Sequence, residues 1–321
     1  MNPLVSILIP FYGVERYIEQ CAESVFSQTY DNLEFVFVDD RSPDKSREIL
    51  ETCIARHPEW NGRIQIITQK KNKGIAAARH TLLSYAKGSY VCFVDSDDYL
   101  PPKAIAVMVQ KALETQADIV ESAYRRVGGK HEKVIKAQHC SKTKRVRRAI
   151  CHKGNGFIWG KLIRKSLFDN NDIRFIEGIN FAEDFSVFPL LLMVGTRTWV
   201  DEVAYCYRLD NQSSYTHHID LKAILSEARA ATIVRDFFIR NDHERLYRRA
   251  LLLGLLIVYR NAHRNHIATE HYAEIDRLLN YHSEFGLDQW FYRMFHSKHQ
   301  ARWIYKAFGV YRKAYLCCPF I

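Results

Sequence analysis

The sequence predicts an α/β fold: a doubly wound, mainly parallel sheet flanked by helices, followed by a helical C-terminal region. Three observations carry that prediction. Short runs rich in Val, Ile and Phe alternate with amphipathic stretches through residues 1–123, which is the pattern of βαβ units. The apolar runs are nearly continuous rather than alternating, as strands covered on both faces are. Polar signals recur just after the strands, at residues 10–13, 39–40 and 95–98, where open α/β sheets bind ligands.

In order along the chain, residues 4–10 read as a buried strand ended by Pro10, which cannot donate to a central ladder. Residues 14–28 have helical spacing, with Ile18, Cys21, Ala22, Val25 and Phe26 on one face. Residues 33–38 form a second strand and 44–56 a second helix, with Ser42 or Asp44 as its cap. A strand at 63–68 precedes an alanine-rich helix at 73–86, stopped by Gly88. The fourth strand is 90–94. A helix at 101–115 has proline in its first turn, and a fifth strand is 118–123.

The alternation then stops. Val127, Gly128 and Gly129 mark a hairpin turn, and residues 141–151 a basic helix. Residues 182–194 read as a helix opened by Glu183 and Asp184, and 199–207 as a strand pair or an extended edge. Helical patterns follow at 221–241, 244–264, 271–280, 283–295 and 299–316.

Composition limits the function classes. The chain has 321 residues, 47% of them hydrophobic, enough to bury a core, so disorder is not expected. The net charge of +10 is concentrated at residues 124–165, where fourteen basic residues face one acid, Glu132. Such a segment attracts polyanions: nucleic acid, anionic lipid headgroups or phosphorylated substrates. Aromatic residues are scarce across 127–151, so stacking platforms for nucleic acid are missing and no nucleic-acid partner is expected. The eight cysteines show no CxxC spacing and read as reduced thiols of a cytoplasmic protein. No signal-peptide pattern opens the sequence. The longest late apolar run, 250–259, is about half of what a membrane span needs. The expected location is therefore cytoplasmic, soluble or peripheral on a membrane surface. The aromatic and cationic stretch 303–316 resembles interfacial helices; packing on the rest of the chain or on a second subunit would use the same residues.

The densest chemical signal is Asp95-Ser96-Asp97-Asp98 after the fourth strand. Acids this close need water or a cation to share a site. Magnesium or manganese takes one or two protein carboxylates together with substrate phosphates, and an Asp-x-Asp pair at a strand end supplies that. An EF-hand is excluded, because counting from Asp95 the sixth residue is Leu100 and the twelfth Ala106. Asp40 ends a neighbouring strand, where an aspartate can accept from a base N–H or a ribose hydroxyl. Gly74, Ala76, Ala77 and Ala78 allow close approach at a helix start, with Arg79 within reach of a phosphate. Glu183 and Asp184, by residue type alone, are an acidic first helical turn. The GxGxxxG at 154–160 is one residue too long for a dinucleotide fingerprint, and no P-loop, GxSxG or HExxH occurs.

Taken together, the strand at 5–12, Gln28-Thr29-Tyr30, Val38-Asp39-Asp40-Arg41-Ser42, Gly74 with Ala77-Ala78-Arg79, and Phe93-Val94-Asp95-Ser96-Asp97-Asp98 resemble the family 2 glycosyltransferases of the GT-A fold. Trp159-Gly160-Lys161-Leu162, Phe181-Ala182-Glu183-Asp184 and Tyr207-Arg208 with Ser213-Ser214 resemble that family's later signposts. The resemblance implies an inverting transfer from a nucleotide-diphosphate sugar, usually a UDP-sugar, to an acceptor hydroxyl, with Mn2+ or Mg2+ on the diphosphate. Carried over by position, Pro10, Tyr12 and Asp40 would line the nucleobase site, and Glu15 and Arg79 would contact the nucleotide. Asp95 and Ser96 would join them at the donor. Asp95 and Asp97 would be the metal pair and Asp184 the general base. His217 falls where some GT-A enzymes place a late metal or diphosphate contact. Gly13, Arg41, His80 and Gly160 depart from the residues common in that family.

The implied organisation is a GT-A catalytic domain at 1–218, with a nucleotide-sugar-binding half at 1–123 and an acceptor half at 124–218, and a helical region at 219–321. The implied acceptor is a glycan or lipid-linked glycan of the bacterial surface. The basic segment would face it or an anionic membrane surface, and the C-terminal helices offer a place for a homo-oligomer contact. A reading from another class is a non-catalytic nucleotide-sugar or polyanion-binding module.

Overall fold

A computed structural model describes residues 2–129, 132–211, 219–297 and 302–317. Four buried or half-buried apolar runs form β1 (Val5–Phe11), β2 (Leu33–Asp39), β3 (Ile64–Thr68) and β4 (Tyr90–Phe93), all parallel, in the order β3-β2-β1-β4. They are joined through α1 (Ile18–Phe26), α2 (Ser46–Ala55) and α3 (Ile75–Tyr85), and α4 (Ala104–Thr115) leads into β5 (Ile119–Val127). β6 (Lys133–Ile135) pairs antiparallel with β5, completing the hairpin expected at Gly128. β7 (Lys161–Arg164) lies antiparallel between β4 and β5, and β8 (Arg197–Arg208) runs parallel beside β5. The result is the mixed, mainly parallel α/β sheet that the sequence predicts.

Sequence reasoning gave β7 no element. Four residues between Gly160 and a short helix, α6 (Ser166–Asn170), are too few for a periodic signal. The 199–207 run, read as a strand pair or an edge, is one twelve-residue strand, β8.

Strand order reverses at β1, and such switch points are where open α/β sheets bind ligands. The β1–β4 ladder ends at Leu8 opposite Phe93, with the Val94 N–H donating to the Leu8 carbonyl. β1 continues beside β2 to Phe11, whose carbonyl accepts from Asp40 N–H. Strand residues alternate sides, so Pro10 turns its nitrogen toward β4, past the last ladder bond. A proline is tolerated there because no donor is needed. The strand therefore runs one residue beyond its expected end, and β1 and β4 part beyond it.

Glycine is required at Gly88. Its N–H donates to Ser6 Oγ (2.8 Å) and to Glu34 Oε1 (3.1 Å), and a Cβ there would stand 2.6 Å from Ser6 Oγ.

The chain divides into two compact units. One comprises Met1–His139, Phe157–Gly178 and Val194–Ser214; the other comprises Cys140–Gly156, Ile179–Met193 and Tyr215–Ile321. Residues 140–156 and 179–193, expected with the catalytic domain, thus group with the C-terminal helices. Two helices account for this. α5 (Lys142–Ile150) buries Val146, Ala149 and Ile150, and α7 (Glu183–Val194) is buried nearly all round from Phe185 to Leu192. Such faces need apolar partners. The second unit also holds α8 (Leu221–Arg240), α9 (Glu244–Arg264), α10 (Tyr272–Leu279), α11 (Gly286–His296) and α12 (Arg302–Cys317). The tail's inner face packs within this unit: Phe308 on α12 meets Phe291 on α11 with ring centroids 5.0 Å apart. Trp303 and Val310 are exposed. No helix among the described residues is long and apolar enough to cross a membrane.

The basic segment 124–165 does not form one solvated face. Its residues divide between the two units, and several cations are spent internally. Arg145 is fully buried, donates to the Asn155 carbonyl (2.7 Å) and lies 5.1 Å from the Phe188 ring. Lys161 is buried and donates to the Trp159 carbonyl.

Candidate active site

The turn after β4 is built as a polar knot. Asp98 is buried, and its carboxylate accepts from Tyr205 Oη (2.7 Å) and from the Arg208 N–H (2.7 Å), both on β8. Burial, followed by the charges of Asp97 and Asp95, pushes its carboxyl well above the usual carboxylate range. Asp98 is thus a post joining the acid turn to β8, which frees Asp95 and Asp97 from structural duty. Tyr205 Oη also accepts from Asp95 N–H (3.1 Å), so one phenol fixes both ends of the turn. Its ring stacks on Trp159 (4.4 Å), which stacks in turn on the half-exposed Phe157 (4.6 Å). This is the service that the Trp159 signpost performs.

Asp95 Oδ1 accepts from Arg79 Nη2 at 2.8 Å, and the Arg79 guanidinium sits 5.8 Å from the Phe175 ring. Arg79 is 2% exposed, so it orients Asp95 rather than standing in solvent. Asp97 Oδ2 accepts from Asn211 Nδ2 (2.7 Å), and its carbonyl accepts from Arg208 Nε (2.8 Å). Burial and then the charge of Asp95 raise the Asp97 carboxyl above its ordinary range. Ser96 is buried between the two acids.

The loops after β1 and β2 are tied to each other. Asp44 accepts from Ser46 Oγ (2.6 Å), Ser42 Oγ (2.9 Å) and the Glu15 N–H (3.0 Å). Burial alone would raise its carboxyl; these hydrogen bonds outweigh it and hold Asp44 below the usual range. Glu15 Oε2 accepts in return from the Lys45 N–H, and the Gly13 N–H donates to Ser42 Oγ. Asp44, expected as a cap of α2, thus serves as a clasp between loops, with the helix starting at Ser46. Glu15 and Asp44 line a polar cleft of about 460 Å³ together with Arg16, Tyr17, Asp210 and Asn211. Asn211 is shared by this cleft and the Asp97 carboxylate.

Asp40 is 4% exposed and bidentate: Oδ1 accepts from the Lys73 N–H (2.9 Å), Oδ2 from the Gly74 N–H (2.7 Å). It anchors the start of α3, where Gly74 has φ 86°, a backbone conformation that glycine adopts freely. Burial raises the Asp40 carboxyl despite these two bonds. Replacing Asp40 with alanine strands two amide donors, each costing about 1–3 kcal/mol if they stay dry. The expected outcome is a thermal midpoint lower by several degrees, read by thermal melts. Asp40→Asn, which keeps one acceptor, should lose less.

The remaining expected residues are placed as follows. Pro10 and Tyr12 stand at the end of β1, Tyr12 with 49% exposure and its ring open to solvent. Asp184 lies in the first turn of α7, in the second unit, after Ala182 with φ 64°. His217 lies outside the described residues. The structure therefore brings Asp95, Ser96, Asp97 and Arg79 together, with Glu15 reached through Asn211 along the cleft. Arg208 and Asn211 had no assigned role in the sequence. Arg208 donates to Gln20 Oε1 and lies 5.1 Å from the Tyr17 ring. Arg208 belongs to the Tyr207-Arg208 signpost and Asn211 lies just after it, but what each holds is hidden from the sequence, because pairing across more than a hundred residues leaves no local pattern.

The family model described as "Glycosyl transferase family 2" matches residues 6–171, just over half of the chain. The chain belongs to glycosyl transferase family 2. The family match spans β1 to β7 and includes the acid turn. Among curated relatives, the uncharacterized glycosyltransferase EpsJ of Bacillus subtilis is 32% identical over 225 residues, 67% of this chain and 64% of EpsJ. The chain thus spans slightly under two thirds of that relative's length. The chondroitin synthase of Escherichia coli is 29% identical over 238 residues, 68% of this chain and 31% of the synthase. A crystal structure of S. aureus TarS 1–349 with UDP-GlcNAc superposes with a TM-score of 0.58 at 18% identity, over 87% of this chain and 89% of that one. At that identity the likeness concerns the GT-A family-2 fold.

Proposed function

We propose that the protein is an inverting glycosyltransferase that moves a sugar from a nucleotide-diphosphate sugar, a UDP-sugar in first place, to a hydroxyl of a bacterial polysaccharide or lipid-linked glycan. The observation that carries this reading is the Asp95–Asp97 turn at the switch point between β1 and β4. Its neighbours, Arg79, Arg208 and Asn211, orient the two acids while Asp98 carries the structural load. The UDP-GlcNAc in TarS and the polysaccharide named in chondroitin synthase support the donor and acceptor classes.

The residues fit a hard divalent cation. Asp95 Oδ2 and Asp97 Oδ1 have no side-chain donor among the described residues, and burial, followed by the charge of Asp95, raises the Asp97 carboxyl, a repulsion that a cation relieves. Asp95 and Asp97 offer two carboxylates, the usual number for magnesium or manganese beside substrate phosphates. When bound, the cation supplies neutralisation of the charge on the diphosphate leaving group.

The chain's own residues do the rest. Tyr12 and Pro10 offer a face for the base, and Asp40 holds the loop that Gly74 opens to the nucleotide. Arg79 fixes Asp95. Asp184 takes the proton of the acceptor hydroxyl as it attacks the anomeric carbon, and the nucleotide diphosphate leaves. The domain organisation proposed is a catalytic region drawn from residues 1–218, of which 140–156 and 179–193 fold with the helical region at 219–321.

The test is a panel of nucleotide-sugars scored by thermal shift and by manganese-dependent hydrolysis. A UDP-sugar is expected to raise the midpoint only with metal present. Stabilisation by no UDP-sugar, with metal, overturns the donor assignment. Metal-independent binding with no hydrolysis favours the binding module.

A further inference from the structure

The second unit collects positive charge that its fold does not use up. Arg148 stands at the end of α5, Lys153 just after it, Arg260 on α9, and Arg312 and Lys313 on α12. Burial, and then the charges of Arg312, Arg260, Arg148 and Lys313, push Lys153 below the usual lysine range. Burial, and then Arg312, lower Arg260 to about 10. The same two arginines, after burial, hold His152 neutral at about 3. The contacts bring them together: Arg312 Nη1 donates to the Cys151 carbonyl (3.1 Å), the Lys153 N–H to the Arg148 carbonyl (2.7 Å), and Arg260 Nη2 to Asn261 Oδ1 (2.6 Å), whose amide donates to Glu227 beside His152.

The compensation on hand is small. Glu227 on α8 faces them, 3.8 Å from His152 Nδ1, and the buried Asp288 on α11 acts on the Cys151 thiol but already accepts from Tyr311 Oη and Ser283 Oγ. Both Glu227 oxygens already accept from Asn261 Nδ2 (2.7 and 2.9 Å), and burial raises its carboxyl to about 7, so near neutral pH it is only partly charged. Arg312 is 7% exposed; its Nη1 donates to the Cys151 carbonyl (3.1 Å), capping the end of α5. Its Nε has no hydrogen-bond partner among the described residues, and neither has the buried Nε of Arg148. A carbonyl cap explains one arginine. It does not neutralise the five cations, and like charges at this density cost stability.

We propose that Lys153, Arg148, Arg260, Arg312 and Lys313 form an anion site in the second unit for a phosphate or diphosphate group, built from residues other than those of the acid turn. Arginine forks and a lysine ammonium match phosphate oxygens in charge and in donor geometry. A bound phosphate would turn mutual repulsion into charge-assisted hydrogen bonds. The same chemistry serves a lipid-borne phosphate headgroup and a soluble phosphorylated ligand.

The full chain is titrated calorimetrically with inorganic pyrophosphate in the presence of a chelator, which removes any metal-dependent contribution from the acid turn. Wild type is expected to bind, with affinity falling as salt rises. Lys153→Glu should weaken binding by about tenfold or more, and Asp97→Asn should leave it unchanged. Lys153→Gln serves as the folded comparison: with one repelling cation removed, its thermal midpoint at low salt should equal or exceed that of wild type. Sedimentation with phosphatidylcholine vesicles containing phosphatidic acid, abolished by Lys153→Glu, assigns the lipid source. Pyrophosphate binding without vesicle binding assigns the soluble one. Either outcome upholds the site. Absence of pyrophosphate binding, binding indifferent to Lys153→Glu, or binding lost in Asp97→Asn overturns it.

Discussion

An Asp97→Ala protein is expected to fold and to lose metal-dependent donor binding by about a hundredfold or more, beyond the about 10–100-fold lost when a group that only orients a metal ligand is removed. The turn is braced without the Asp97 carboxylate. Asp98, Tyr205 and Arg208 hold the β4 end to β8 through side-chain and backbone bonds that do not involve the Asp97 carboxylate. Removing Asp97 also removes a buried charge that Asp95 repels, so the stability change is small or favourable. The side-chain bond lost is from Asn211 Nδ2, together with the bond from the residue's own N–H, each worth about 1 kcal/mol net. Asp97→Asn keeps an acceptor for Asn211 and removes only the charge. If both variants melt like wild type and neither gains stability from a UDP-sugar plus manganese, the proposed cation pair stands. A fully active Asp97→Ala enzyme would remove it.

Asp98 shows what the sequence could and could not convey. Three acids in four positions announce a site, because that density is costly without a purpose. Which acid is structural is decided by Tyr205 and Arg208, more than a hundred residues away, and no local spacing encodes that. Asp40 has the same history. Its position after β2 follows from the hydrophobic run that precedes it, whereas its bidentate grip on Lys73 and Gly74 depends on how the β3–α3 loop returns. The parallel half of the sheet was legible because each strand is a continuous apolar run followed by a helix with a clear stop. The other half was less so. β7 is four residues long and antiparallel, and its pairing with β4 and β5 leaves no periodicity to read. The basic segment misled for a related reason. Charge counts along a chain do not say which cations are buried, and Arg145 and Lys161 are spent on carbonyls and aromatic faces inside the fold.

Asp184→Asn carries the second large effect and tests a different claim. If Asp184 removes the acceptor proton, the asparagine protein should bind the UDP-sugar with unchanged affinity. Its turnover should fall by about 10²–10⁴-fold, the usual contribution of a positioned general base. The split matters more than the size. A merely structural role for the first turn of α7 would lower the thermal midpoint and disturb donor affinity and turnover together, because that helix is buried along most of its length. A catalytic role leaves melting and donor titration in place and moves only the chemical step. Equal turnover in the two proteins would leave the chain without a base at this position and would return the reading to a module that binds nucleotide-sugar without transferring it.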